Sequence, residues 1–257
     1  MGKNSYEAVT RAAGSFIRAK TGIDLLSKYK VPFAIRQVLL PPNRGEINEF
    51  EAWRRKVTGQ EASTYAMFFE LRCRRDNVSK NAMIKKLRLT PQQGMKVLLR
   101  GEKEYIKEMR RFCAKFTRPP GNKIFSCGAG IGGGCVDAYG NFQPCLLSRH
   151  PDTVYNLKTG SLKKALTEFT PKLREKKAIN PAYLSRCARC FLKGLCGQCP
   201  AKSWMEHGTL DTPVEYLCGM AHVQARFLGL IKESEKSWQI INWRNRLDKF
   251  CAKEEGR

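Results

Sequence analysis

Thiols set the chemistry open to this chain. Cys187, Cys190, Cys196 and Cys199 fall within thirteen residues, in the run Cys187-Ala-Arg-Cys190-Phe-Leu-Lys-Gly-Leu-Cys196-Gly-Gln-Cys199-Pro200. Disulfides across such short steps would be strained, and a core would take Leu or Val in their place. A metal ion or an iron–sulfur cluster needs closely spaced thiolates, because the metal neutralises charges that would otherwise repel. Three more cysteines complete a pattern. Cys127 is followed by twelve residues and Gly140, then by four residues and Cys145, and Cys218 closes the set in Tyr216-Leu-Cys218-Gly219.

The spacing discriminates between metals. Zinc ribbons usually separate their two knuckles by about fifteen to twenty residues, whereas five residues separate Cys190 from Cys196. A [4Fe–4S] cube is larger than one zinc ion, and short Cys-x2-Cys steps span its corners well. The Cys199-Pro200 ending is that of bacterial two-cluster ferredoxins, in which the last cysteine of a run ligates the other cluster. Seven ligands suit two clusters better than one zinc ion, so iron–sulfur is the favoured reading and zinc the alternative.

The order Cys127-x12-Gly140-x4-Cys145, gap, Cys187-x2-Cys190-x5-Cys196-x2-Cys199, gap, Cys218 resembles the SPASM domain of radical S-adenosylmethionine enzymes. The resemblance implies two auxiliary [4Fe–4S] clusters of the kind carried by peptide- and protein-modifying maturases. It implies one cluster on Cys187, Cys190, Cys196 and Cys218. It implies the other on Cys127, Cys145 and Cys199, with Cys135 or a substrate as candidate fourth ligand. The family's usual last step is Cys-x5-Cys-x3-Cys, and here two residues lie between Cys196 and Cys199. Softer motifs extend the similarity forward. Tyr6 to Phe16, Gly22-Ile-Asp-Leu-Leu26, Val31-Pro-Phe33, and Asn43 with Glu46 are similar to the later part of the family's βα barrel.

One element of the family pattern is absent. The cluster that binds and reductively cleaves S-adenosylmethionine needs Cys-x3-Cys-x2-Cys, and no cysteine precedes Cys73. The chain reads as starting partway through a barrel. It is then the C-terminal part of a split or truncated enzyme, a subunit completed by another chain, or a cluster protein without radical chemistry. The first is favoured, since a start inside a βα barrel leaves open sheet edges that need a partner. S-adenosylmethionine is expected only with a complementing chain, and the expected substrate is a peptide or protein.

These residues need elements to hold them. The periodicity predicts helices over 15–29, 46–56, 91–99 and 103–116, and buried strands over 33–40 and 64–71. Such alternation implies a parallel sheet covered by helices, here incomplete. Thr117 to Asn122 reads as a boundary. Beyond it a hairpin is expected (135–138 and 142–145, turning at 139–141), then a short helix over 161–168 and helices over 213–232 and 236–252. The expected fold class is α/β (α+β): a partial βα half-barrel over 1–120, then a cysteine-rich cluster domain with C-terminal helices over 121–257.

The chain carries 47 Lys+Arg against 23 Asp+Glu, a formal charge of +24. A basic surface attracts nucleic acid, anionic membrane or acidic peptide. The charges are spread along the whole chain and aromatic-plus-basic RNA signatures are absent, so a solvated basic surface is favoured over nucleic-acid binding. A zinc-dependent nucleic-acid-binding protein stands as the alternative function. Eleven cysteines, odd in number and clustered, with a polar start, argue against a secreted disulfide scaffold and for a reducing cytoplasm. No apolar run approaches membrane-spanning length. Cys73, Cys113 and Cys251 stand alone and read as free thiols, and His150, His207 and His222 as neighbours of the cysteines. Gly128-Ala-Gly130-Ile-Gly-Gly133 matches G-x-G-x-x-G, but it runs toward a strand where a dinucleotide loop would open a helix.

Overall fold

The structure is a computed structural model whose described residues are 2–59, 65–66, 69–117 and 119–252. It is a mostly helical α/β fold with one small parallel and one small antiparallel sheet among those residues. The chain divides into two compact units, Met1–Phe69 with Ala82–Thr90, and Glu70–Asn81 with Pro91–Arg257. The helices expected over 91–99 and 103–116, ahead of a boundary near 120, thus lie in the same unit as the cysteine-rich segment.

In the first unit, helices α1 (Lys3–Thr10) and α2 (Ser15–Lys28) meet through the Tyr6 and Phe16 rings, 5.7 Å apart and edge to face. Strand β1 (Gln37–Val38) leads to α3 (Ile47–Thr58), which buries Ile47 and Phe50. Strand β2 (Tyr65–Ala66) pairs with β1 in parallel, Gln37 opposite Tyr65. The parallel pairing is as expected, and among the described residues the strand expected over 33–40 pairs at Gln37–Val38. Asn43 closes its C-terminal end. Its Oδ1 accepts the Leu40 N–H at 2.8 Å and its Nδ2 donates to the Val38 carbonyl at 2.9 Å, so a side chain takes the bonds a longer ladder would use. The expected strand over 64–71 is seen only at Tyr65–Ala66; Thr64, Met67 and Phe68 lie outside the described residues. No closed barrel is formed among the described residues.

Helix α4 (Val78–Lys86) spans the point where the chain passes between units. Asn77, part of an apparent glycosylation sequon, starts it by accepting the Lys80 N–H at 2.8 Å. The second unit contains α5 (Pro91–Leu98) and α6 (Glu102–Phe116), close to the expected spans. Next comes a three-stranded antiparallel sheet of β3 (Cys135–Val136), β4 (Asn141–Gln143) and β5 (Tyr155–Asn156). The hairpin is as expected, and β5 is an addition. Asp137 builds its turn by accepting the Tyr139 and Asn141 N–H groups, while Gly140 takes φ +79°, a conformation that favours glycine.

The expected helix over 161–168 is longer and irregular. Leu162–Lys164 (α7) passes through a wide π turn at Ala165–Phe169 into α8 (Thr170–Arg174). Short helices α9 (Pro181–Ser185), α10 (Lys193–Cys196) and α11 (Pro200–His207) carry the four-cysteine run. Helices α12 (Glu215–Phe227) and α13 (Trp243–Ala252) complete the unit; both are shorter than expected.

Two apolar clusters hold the cysteine run from opposite sides. Phe191 and Leu192 enter a core made with Met95, Tyr105, Ala221 and Phe250. Cys187 and Ala188 pack against a second core of Ile124, Phe125, Leu173 and Tyr183. Burying Phe191 and Leu192 contributes roughly 1.5–3 kcal/mol each, which fixes a loop otherwise too irregular to hold its shape. Gly134, beside Cys135, is tightly packed against strand β4. A Cβ there would lie 2.4 Å from the Gln143 carbonyl oxygen and 2.5 Å from the Phe142 ring. Gly134→Ala is therefore expected to destabilise the chain by about 1–3 kcal/mol. Urea denaturation of the variant measures the loss, and a midpoint equal to that of the parent would contradict it.

Candidate metal centre

Cys187, Cys190, Cys196 and Cys218 line one small cavity of about 20 Å³, partly open to solvent. Each arrives on a different piece of structure. Cys187 opens a single 3-10 turn, Cys190 follows it, Cys196 ends α10, and Cys218 sits in the first turn of α12. A buried amide sets the distance between the last two. Gln198 accepts the Val214 N–H at 3.1 Å and donates to Ser203 Oγ at 2.7 Å and the Thr212 carbonyl at 3.3 Å. The stretch after Cys196 is thereby tied to the stretch entering α12.

The cavity wall is rich in donors. Arg186 reaches Cys218 Sγ at 3.6 Å and holds Glu215 through two bonds of 2.7 and 2.9 Å. Its guanidinium also lies 4.8 Å from the Trp238 ring centre. Ser237, fully buried, stands with its Oγ 3.0 Å from Cys190 Sγ and 3.1 Å from His222 Nε2. His222 Nδ1 is 2.8 Å from the Cys218 carbonyl oxygen, so that ring nitrogen carries the hydrogen. Burial holds the His222 ring below the ordinary histidine pKa. Lys193 also lines the cavity, and burial lowers its pKa.

The thiols respond to this enclosure. Burial pushes Cys187 up to about 12, with the neighbouring Cys190 and Cys218 charges adding to the rise. Burial raises Cys190, Cys196 and Cys218 as well, and Cys196 also feels the other three. Four such groups cannot all ionise together in a partly enclosed, mostly apolar space unless a cation joins them. Four sulfurs with no carboxylate form a soft donor set, suited to zinc, copper(I) or an iron–sulfur cluster. They stand around the cavity: among the described residues, no group of three or more His, Cys, Asp or Glu side chains is assembled to hold a metal ion.

The remaining candidate ligands fall into two pairs. Cys199 is the residue before this helix, and Pro200 occupies its first position, where the missing N–H costs nothing. Cys199 is raised chiefly by burial, and exposed Cys127 is near enough to add to that rise. Cys145 neighbours Cys135 instead. Burial raises Cys135, Arg149 opposes the rise and Cys145 adds to it. Cys135 Sγ also faces the Gln143 carbonyl at 3.8 Å and Oε1 at 3.6 Å.

Cys73, read from sequence as a lone thiol, belongs to this neighbourhood. Burial raises it, with Arg149 opposing and Cys145 adding. Trp204 on α11 accounts for the convergence. Its Nε1 donates to the Cys73 carbonyl at 2.9 Å, and its ring meets His150 edge to face at 4.7 Å. Arg75 lies over the same ring and donates to the Trp204 and Met205 carbonyls at 2.8 and 3.1 Å. Those carbonyls end the helix, where a cation is favoured.

Of the isolated residues, Cys113 is buried between helices and pushed up to about 11 by burial, with Cys251 adding, in keeping with a structural thiol. Arg186, Ser237 and Trp238 carry no sequence signal of their own, because only the folded chain brings them to the cysteines. The glycine-rich 128–133 loop runs into strand β3 and opens no helix, as expected.

Raised thiol pKa values carry a sign. A group whose folded pKa exceeds its unfolded value stabilises below the unfolded pKa, and that contribution is lost as pH climbs to the folded one. The metal-free chain should therefore lose thermal stability between the ordinary thiol pKa and the value of about 12 at Cys187. Melting temperatures across that range should fall more steeply for the parent than for Cys187→Ser, and equal slopes would contradict the burial argument. A scan against protein-family models and searches of curated proteins and of solved structures find no match to this chain.

Proposed function

We propose that the chain is the auxiliary iron–sulfur part of a radical S-adenosylmethionine maturase acting on a peptide or protein. It would combine a partial βα barrel with a SPASM-type domain, carry two [4Fe–4S] clusters and work in the cytoplasm. The observation that carries this reading is the cavity shared by Cys187, Cys190, Cys196 and Cys218, four thiols up to thirty-one positions apart that the resemblance implies as one set. When bound, such clusters supply one-electron transfer or an anchoring iron.

The fit rests on this chain's residues. Four thiolates around one zinc ion would close to about 3.8 Å from each other, given a Zn–S bond of about 2.3 Å. A cube keeps its ligands farther apart, which suits sulfurs ranged around a cavity. Arg186 and Lys193 at the wall offset the net negative charge of a thiolate-bound cube. Cys127, Cys145 and Cys199 would serve the second cluster, with Cys135 as candidate fourth ligand. The absence of Cys-x3-Cys-x2-Cys means that this chain does not itself assemble the cluster that cleaves S-adenosylmethionine. That chemistry would require a complementing chain. No helix is long and apolar enough to cross a membrane among the described residues.

Anaerobic reconstitution of the full chain with iron and sulfide should give a brown protein with roughly eight iron and eight sulfide per chain. Cys190→Ala and Cys218→Ala should each lose about half of that iron. The isolated chain should leave S-adenosylmethionine intact under reducing conditions. A colourless chain that holds only zinc, and binds DNA or RNA with steep salt dependence, would overturn this reading in favour of a zinc-dependent nucleic-acid binder.

A further inference from the structure

We infer that Ser237 and Arg186 tune the redox potential of the cluster held by Cys187, Cys190, Cys196 and Cys218, by donating hydrogen bonds to two of its sulfurs; this rests on the function proposed above. The geometry is specific. Ser237 Oγ lies 3.0 Å from Cys190 Sγ, with both residues buried. A Cys190 thiol can give its own hydrogen to Ser237 Oγ, leaving the hydroxyl hydrogen for His222 Nε2 at 3.1 Å. A cysteine bound to iron has no hydrogen left and only accepts, so the hydroxyl turns its hydrogen to sulfur. The contact changes direction when the ligand is formed.

Arg186 provides the second donor. It is 3.6 Å from Cys218 Sγ, and its other contacts hold it there: the paired bonds to Glu215 and the Trp238 ring beneath it. An arginine has no acceptor and stays charged, so it donates in every state of the sulfur. A hydrogen bond to a ligating sulfur withdraws electron density and favours the reduced cluster, which moves the potential upward. The second set of cysteines has cationic neighbours of its own, Lys202 beside Cys199 and Arg149 beside Cys135.

The test is a redox titration of the reconstituted full chain, followed by electron paramagnetic resonance. Ser237→Ala should keep the parent's iron content while one of its two midpoints becomes more negative, and Arg186→Gln should move the same midpoint in the same direction. If Ser237→Ala fails to take up iron, the parent chain alone decides. Its Fe–S(Cys) stretching bands in resonance Raman should shift when exchangeable hydrogens are replaced by deuterium. Two clusters with unmoved midpoints in the variants, or no deuterium shift in the parent where Ser237→Ala is not loaded, would overturn this inference and leave the proposed function standing. A parent chain that takes up no iron would overturn both.

Discussion

Four thiols, Cys190 buried and Cys187, Cys196 and Cys218 partly buried, that cannot all ionise by themselves are the constraint around which the larger unit is organised. Their enclosure is apolar enough to raise each of them, and mutual repulsion raises them further. Such a site holds its shape only if the loops that present the sulfurs are anchored elsewhere. The anchors are ordinary ones: Phe191 and Leu192 in one core, Ala188 against another, and the Gln198 amide bound on all sides. The sulfurs are left as the groups whose needs the protein alone does not satisfy. Metal affinity at such a site is linked to proton release, because each ligand must lose a proton that the fold protects.

The surplus of basic residues gains a partial explanation from the same unit. Several arginines serve irregular backbone. Arg174 donates to the Cys127 and Ala129 carbonyls at 2.8 and 2.6 Å, and Arg75 to the end of α11. Loops that carry these cysteines run without regular ladders, so their carbonyls need donors from side chains. Guanidinium groups meet that need with several N–H groups each. Part of the positive charge is thus architectural.

What could be read ahead of the structure follows from the range of the interactions. Helices α2, α3, α5 and α6 were legible because their apolar spacing is local, and the 135–145 hairpin because Asp137 and Gly140 encode its turn within a few residues. Helix α4 has no clear apolar face, and its signal was the Asn77 cap inside a sequence that also matches a sequon. In the 33–40 strand, nothing in its own residues shows that Asn43 will compete for the backbone at its C-terminal end. At the candidate metal centre, the family resemblance grouped Cys187, Cys190, Cys196 and Cys218. Spacing is silent about Arg186, Ser237 and Trp238, and about Cys73, whose place depends on Trp204 far along the chain.

That last contact has a consequence for how the chain is made. Arg75 and Trp204 are 129 positions apart, and Cys73 and Trp204 131. At about 5–20 residues per second of synthesis, the early segment waits roughly 6–26 s on the ribosome before its tryptophan partner exists. Throughout that interval Cys73 is an unsheltered thiol. A cell that builds this protein must keep such nascent sulfur reduced until the last third of the polypeptide has emerged to cover it.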